Sequence, residues 1–132
     1  MTEMDQVYVF HHNFLLPLGG DNLLFSDPEA LQFRTKFLEE ELAEFKEACE
    51  AGDKVKALDA LIDLTYVAMG TALFMGVFPG QWNEAFSAVH NANMSKMRVP
   101  SAKASKRGSS FDVVKPPGFI PPEHKIRQIL GE

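Results

Sequence analysis

The sequence predicts an all-α fold, and three observations support this prediction. Apolar residues recur at helical spacing over long stretches, helix start and stop signals flank those stretches, and only a weak Phe111–Val114 segment alternates with the two-residue period of a strand. With 132 residues, 45% of them hydrophobic and 23% charged, the chain has the size and composition of one globular domain. These values exclude a collagen-like or wholly disordered chain.

Four main helices are predicted in order along the chain. They cover about Glu3 to Phe14, Asp27 to Ala51, Asp53 to Met75 and Pro79 to Met97. Asp27 is suited to cap the second helix and Pro28 to occupy its first position, and Gly52 separates the second helix from the third. A short helix is also expected at His124 to Leu130. No solenoid-length repeat is visible.

The chain divides by composition into a helical core, residues 1–97, and a basic, proline-rich C-terminal segment, residues 98–132, within one domain. Residues 1–95 hold 15 acidic and 5 basic side chains, whereas residues 96–132 hold 3 acidic and 8 basic ones. Both regions could be ordinary solvated surfaces. Their positions instead favour a molecule that holds metal cations at one place and polyanionic ligands at another.

The cellular setting is predicted to be the cytoplasm. The single cysteine, Cys49, cannot form an internal disulfide, and the N-terminus carries acids where a signal peptide needs basic residues. Leu64–Gly80 is uncharged, but it is short for a membrane span, contains three glycines and has no basic flank. We therefore expect no membrane association.

Acidic side chains fall on the apolar face of the first long helix, which is predicted at about Asp27 to Ala51. On a helical wheel the apolar arc comprises Phe33, Phe37, Leu38, Leu42, Phe45, Ala48 and Cys49. Glu41 lies at the centre of this arc, Glu44 lies inside it and Glu40 lies at its edge. Buried carboxylates without partners are costly, so this pattern predicts a nearby cation.

The second long helix is predicted at about Asp53 to Met75. From Ala57 to Gly80 the only charged residues are Asp59 and Asp63. A helix that is apolar on all sides is predicted to be central and buried, and residues four apart share a face. Four carboxylates from two helices, Glu41, Glu44, Asp59 and Asp63, would suit Mg²⁺, with Mn²⁺ as a substitute. The alternative is that the aspartates pair with Arg34 or Lys56.

The third long helix is predicted to direct Trp82, Phe86 and Val89 inward, and the same stripe continues to Asn93 and Lys96. An inward stripe that becomes polar at its end indicates a ligand there. An amide and an ammonium group are suited to a phosphate or a base edge. Fraying of this helix end into solvent is the alternative.

Four ordered blocks carry a family resemblance: FLEEELAEF, DALIDLTYVAMGTALFMGV, VHNANMSK and DVVKPPGFIPP. Together they resemble the MazG-like, or phosphoribosyl-ATP pyrophosphohydrolase-like, branch of the all-α nucleoside triphosphate pyrophosphohydrolases, in its short single-domain bacterial and phage form. The resemblance spans roughly His11 to Leu130. It implies a helical bundle completed by homo-oligomerisation, as a homodimer or a tetramer formed by two dimers.

The resemblance also implies an activity, the Mg²⁺-dependent cleavage of a nucleotide between its α and β phosphates to give the monophosphate and pyrophosphate. The family motif ExxE falls on Glu41 and Glu44, and the last acid of ExxD falls on Asp63. The first acid of ExxD falls on Ala60, so Asp59 is the nearest substitute. Glu40 is the candidate that orients or deprotonates the attacking water.

Basic and amide groups are expected to bind the substrate. The resemblance places nucleotide and phosphate contacts at Asn93 and Lys96, and a segment that covers the site around Lys115. The basic tail adds Lys106 and Arg107, whose charges would stabilise the leaving pyrophosphate. Histidines His11 and His90 are more typical of packed helix residues than of acid–base groups.

Three functions compete at this point. The leading hypothesis is a metal-dependent hydrolase that acts on canonical or non-canonical nucleoside triphosphates. The same fold supports cleavage of phosphoribosyl-ATP, and a non-catalytic helical oligomer that binds metal is the third alternative. Nucleic-acid binding is disfavoured, because the basic residues are confined to one tail and the sequence pI is about 5.3.

Overall fold

The computed structural model describes residues 1–132 and confirms the all-α prediction. The helices are α1 (Glu3–Asn13), α2 (Leu23–Ser26), α3 (Pro28–Glu50), α4 (Lys54–Phe74), α5 (Pro79–Met94) and α6 (Glu123–Leu130). Two short strands, β1 (Met97–Arg98) and β2 (Val113–Val114), form an antiparallel pair, and a 3₁₀ turn covers Ala102–Ala104. Neither α2 nor the pairing of these strands was predicted from the sequence.

Helix boundaries follow the local capping chemistry. Thr2 and Asp5 form a reciprocal capping box at the start of α1. Asp27 accepts a hydrogen bond from the amide of Glu29 at the start of α3, where Pro28 occupies the first helical position, and Asp53 caps α4 through the amide of Lys56. The predicted boundaries of α3 and α4 therefore agree with the structure to within one or two residues.

By internal packing the chain divides into an N-terminal unit, Met1–Trp82, and a C-terminal unit, Asn83–Glu132. The core of the N-terminal unit lies between α1 and the C-terminal half of α4. It contains the buried residues Met4, Val7, Met69, Ala72 and Leu73. The predicted division between residues 1–97 and 98–132 remains a prediction.

Helix α4 is only partly covered by its own chain. Its C-terminal half, Val67–Phe74, is mostly buried, whereas Leu58 and Ile62 in its N-terminal half are 59% and 56% exposed. Within one chain the prediction of a buried central helix therefore holds for the C-terminal half of α4, and the covering of its N-terminal half by a second copy remains a prediction. By length and composition alone α4 could cross a membrane, a test that core helices of soluble proteins also pass.

Gly70 allows α4 to approach the side chains of α1 and α3. A Cβ atom at this position would lie 2.7 Å from Nε2 of His11 and 2.9 Å from Nη2 of Arg34, and both of these side chains are buried. The absence of a side chain on α4 is thus required by two polar groups that enter from neighbouring helices.

We expect Gly70→Ala to destabilise the protein by about 1 kcal/mol or more, although alanine is the better helix former by about 1 kcal/mol. Overpacking against His11 and Arg34 costs about 1–3 kcal/mol and outweighs that gain. Urea unfolding measures the change. Gly80→Ala is the matched control, because nothing lies within 4 Å of the added Cβ atom in α5. Equal stability of Gly70→Ala and the wild type would contradict this account of the packing.

The C-terminal unit contains a loop that is closed by a carboxylate. Asp112 accepts hydrogen bonds from Ser105 Oγ at 2.7 Å, from Arg107 Nη2 at 2.5 Å and from the amide of Val113 at 2.8 Å. The hydrogen bond from Ser105, followed by the one from Arg107, lowers the pKa of Asp112 to about 2. The basic loop between β1 and β2 is thereby hydrogen-bonded to Asp112, the residue that directly precedes β2.

Candidate metal centre

The helical hairpin of α3 and α4 brings acidic residues from distant sequence positions together. Only Ala51, Gly52 and Asp53 connect the two helices, so the helices run antiparallel. Glu41 lies ten residues before Ala51, and Asp63 lies ten residues after Asp53. The two side chains therefore meet across the hairpin at the same distance from its turn.

Three carboxylates converge at this point. Oxygen atoms of Glu41, Glu44 and Asp63 all lie within 4.8 Å of one another. Glu44 joins the group because it is three residues after Glu41 and shares its helix face. No basic side chain forms an ion pair with any of them, since Arg107–Asp112 is the one ion pair in the structure.

Glu41 has the least favourable environment of the three acids. Its residue is 9% exposed, and its Oε2 atom is buried without a hydrogen-bond partner. Burial raises the pKa of the Glu41 carboxyl, and the negative charges of Glu44 and Asp63 raise it further. A buried carboxylate oxygen with no donor, next to two other carboxylates, fits a divalent cation of the Mg²⁺ type.

We expect the free energy of unfolding of the metal-free protein to fall as pH rises through the raised pKa of Glu41. The folded state holds this proton more tightly than the unfolded state. The contribution of this proton to folding stability is therefore fully present below the ordinary pKa of a glutamate, and it is lost as the pH rises through the raised pKa of Glu41. Urea unfolding in EDTA, from about pH 4 to about pH 8, measures the profile. Glu41→Gln cannot ionise and should give a flatter profile; superimposable profiles would contradict the assignment.

Asp59, the fourth predicted ligand, lies outside this group of three. It is exposed and lines a groove of about 430 Å³ that also contains Glu44, Lys56 and Ala60. Asp59 lies one turn before Asp63 in α4, towards the connection with α3. Ala60, which occupies the position of the first acid of the ExxD motif, is buried. The structure thus brings three of the four predicted ligands together, and a metal role for Asp59 remains a prediction.

Glu40 is exposed and lies close enough to Glu41 for its charge to raise the pKa of that carboxyl. It has no hydrogen-bond partner within the protein, so its carboxylate is free to contact a water or a substrate. The role of Glu40 in orienting water stays a prediction.

The apolar arc predicted for α3 is partly wrong. Phe33, Leu42 and Cys49 are exposed, whereas the buried residues are Arg34, Glu41 and Ala48. These three are seven residues apart, the spacing that keeps one side of a helix against an antiparallel neighbour. The seam with α4 is therefore narrower than the arc and contains two charged side chains.

Arg34 was predicted only as an alternative partner for the aspartates, and that pairing is wrong. Its Nε donates to Thr71 Oγ1 at 3.0 Å, and its Nη2 donates to the carbonyl of Val67 at 2.9 Å. The residue is 4% exposed, and burial lowers the pKa of Arg34 to about 10. Its guanidinium carbon lies 4.6 Å from the ring centroid of Phe74. Arg34 thus joins α3 to α4 on the seam that carries Glu41.

His11 also belongs to this packed region. Its Nδ1 donates to the carbonyl of Pro17 at 2.6 Å, and its ring lies edge-on to Phe74. Burial lowers the pKa of His11, with a smaller contribution from the charge of Arg34. This placement agrees with the interpretation of a packed helix histidine, whereas His90 is exposed.

The predicted substrate-binding residues lie in the C-terminal unit. α5 ends at Met94, earlier than predicted, so Lys96 lies in the turn before β1, and Asn93 is exposed. The predicted inward stripe is confirmed at Trp82, which packs against the core, and is wrong at Phe86 and Val89, which are 64% and 38% exposed. Lys106 and Lys115 are exposed, whereas Arg107 is paired with Asp112.

Comparison with known families places the chain beside a described family. A sequence model of the family described as phosphoribosyl-ATP pyrophosphohydrolase matches residues 10–93, which include α3, α4 and all three clustered carboxylates. This match confirms the resemblance inferred from the motifs. No curated protein sequence matches the chain.

Proposed function

Because the chain belongs to the phosphoribosyl-ATP pyrophosphohydrolase family, we propose that it is a Mg²⁺-dependent pyrophosphohydrolase that converts nucleoside triphosphates into monophosphates and pyrophosphate. The observation that carries this proposal is the convergence of Glu41, Glu44 and Asp63 within 4.8 Å around a buried oxygen that lacks a donor. Acids in this arrangement are tolerable when a divalent cation offsets their charge.

Glu41, Glu44 and Asp63 would hold Mg²⁺, or Mn²⁺ in its place, and Asp59 is a further candidate ligand. When bound, the cation offsets phosphate charge and makes water a stronger acid. Glu40, exposed next to Glu41, would orient the attacking water or accept its proton. The water attacks the α-phosphorus, the bond from this atom to the bridging oxygen breaks, and pyrophosphate leaves.

Phosphate charge would be met by the basic side chains predicted from the sequence. Lys96, Lys106 and Lys115 form no ion pair with a carboxylate of the protein, so their charges are available to the substrate. Arg107 already donates to Asp112, which makes it the weaker candidate among the predicted residues. Asn93 would contact the sugar or the base through its exposed amide.

We further propose a homodimer, or a tetramer formed by two dimers, in the cytoplasm. The supporting observation is the exposed apolar surface of α4, where Val55, Leu58 and Ile62 are left uncovered by their own chain. Helices of a second copy would remove this surface from water. No nucleic-acid or membrane partner is proposed.

Phosphoribosyl-ATP is the second candidate substrate, favoured by the description of the matched family. A panel of nucleoside triphosphates and deoxynucleoside triphosphates beside phosphoribosyl-ATP, each with Mg²⁺ and Mn²⁺, separates the two candidates. Pyrophosphate and orthophosphate are measured separately in every reaction. Pyrophosphate release from the triphosphates supports the first proposal, release from phosphoribosyl-ATP alone supports the second, and no product from any substrate would refute both.

A further inference from the structure

The C-terminal unit contains a groove of about 800 Å³ between α5 and the proline-rich segment Pro116–Pro122. One wall is a single face of α5, with the polar side chains of Ser87 and Asn91 four residues apart, and Ser95 follows in the turn after the helix. The opposite wall contains Phe119 and the prolines. Small-molecule sites typically have this volume, about 300–1,000 Å³, and the same combination of apolar walls with a few hydrogen-bonding groups. None of the residues that line this groove is one of the three clustered acids, Glu41, Glu44 and Asp63.

Positive charge is concentrated around the aromatic ring of this groove. The Nζ atoms of Lys96 and Lys115 lie 5.8 Å and 5.4 Å from the ring centroid of Phe119. Neither lysine forms an ion pair, because Arg107–Asp112 is the one ion pair in the structure. The groove itself is lined by one ammonium group, Lys125, and one carboxylate, Glu84, whereas Lys96 and Lys115 lie beside its aromatic ring. Two uncompensated cations therefore flank an aromatic wall.

This combination selects for a ligand with a flat apolar part and an anionic part. Inorganic phosphate would meet the lysines but leave the apolar walls in water, whereas a neutral apolar molecule would leave the lysines without a counter-charge. A nucleoside phosphate satisfies both requirements, and the polar groups of Ser87 and Asn91 can bind the edge of its base.

We propose that this groove binds the base and first phosphate of a nucleotide, with Phe119 as the wall that packs against the base and Lys96 and Lys115 as the phosphate contacts. The choice of nucleotide as the ligand class rests on the proposed function. Phe119 would thereby be a binding residue that acts through stacking, and Asn91 a residue that recognises the base.

Calorimetric titration of the full chain with AMP or CMP, in EDTA, tests this proposal without any dependence on metal or turnover. We expect Phe119→Ala to raise the Kd of either monophosphate by about tenfold or more, the size of a lost base–aromatic stack. Phe111→Ala is the matched control, because Phe111 is exposed in the same segment with the Arg98 guanidinium 5.9 Å from its ring. The control should bind like the wild type.

Two further variants distinguish a loss of binding from a loss of folding. Phe119→Leu keeps the apolar bulk and should lose part of the affinity, and Asn91→Ala alters the opposite wall from within a helix. Circular dichroism establishes that each variant is folded. Unchanged affinity in both Phe119→Ala and Asn91→Ala would overturn the proposal, as would wild-type affinity for inorganic phosphate equal to that for AMP. If these variants differ from the wild type in sedimentation coefficient but not in nucleotide affinity, the proposal is also overturned, because the groove would then be a contact between protein chains.

The outcome is separable from that of the proposed function. Binding of AMP that depends on Phe119, without hydrolysis of any triphosphate in Mg²⁺, would retain the groove and reject the enzyme. Triphosphate hydrolysis with AMP affinity independent of Phe119 would retain the enzyme and reject the groove.

Discussion

Glu41→Gln is expected to reduce pyrophosphate release by a factor on the order of 10²–10³ or more while leaving the protein folded. Glutamine has nearly the same shape as glutamate, but it lacks the charge that a divalent cation needs. In the wild type the Oε2 atom of Glu41 is buried without a donor beside Glu44 and Asp63. Removing its charge therefore relieves repulsion in the metal-free protein, so the variant should unfold at a higher urea concentration than the wild type in EDTA.

The two effects have opposite signs and are measured together. Activity is followed as pyrophosphate release in Mg²⁺, and stability by urea unfolding in EDTA and in Mg²⁺. The wild type should gain stability from Mg²⁺, whereas Glu41→Gln should gain little. Glu39→Gln is the control, because Glu39 lies on the exposed side of α3. Retained turnover in Glu41→Gln, or a loss of the same size in Glu39→Gln, would contradict the assigned role of Glu41.

Arg34→Ala is expected to destabilise the protein by about 3 kcal/mol, or roughly 10 °C in Tm. The substitution removes two hydrogen bonds from α3 to α4 and leaves a cavity next to Phe74. Loss of a desolvated cation–π contact adds to the cost. Relief of the desolvation penalty of the guanidinium offsets part of it, which is why the expected value lies below the sum of these losses.

Arg34→Lys separates charge from geometry. Lysine keeps the positive charge and the apolar stem, but it cannot donate in two fixed directions to Thr71 and Val67. We expect its stability to lie between those of the wild type and Arg34→Ala in urea unfolding at neutral pH. Wild-type stability of Arg34→Ala would show that this contact does not hold the two helices together.

The sequence predicted the features of the fold that local chemistry determines. Asp27 with Pro28, and Gly52 with Asp53, mark helix boundaries through capping and turn preferences that act within a few residues. Glu41, Glu44 and Asp63 were identified because charges at helical spacing in apolar surroundings are costly. Each of these signals can be read from neighbouring positions.

Features that depend on tertiary packing were not predicted. The buried side of α3 passes through Arg34 rather than Phe33, because α4 offers Thr71 Oγ1 and the Val67 carbonyl at that level of the seam. Nothing in the sequence around Arg34 shows that these acceptors lie opposite it. The exposure of Phe86 and the pairing of β1 with β2 likewise depend on which surfaces meet in three dimensions.

The three-residue connection between α3 and α4 has a consequence for how the chain folds. Closing so short a loop costs little entropy, and helical hairpins are among the fastest tertiary elements to assemble. We therefore expect Glu41, Glu44 and Asp63, which lie within 4.8 Å of one another in the folded chain, to come together early in folding. Divalent cations present during synthesis would then act on the nascent hairpin itself, so that ion supply influences the yield of folded protein as well as its later chemistry.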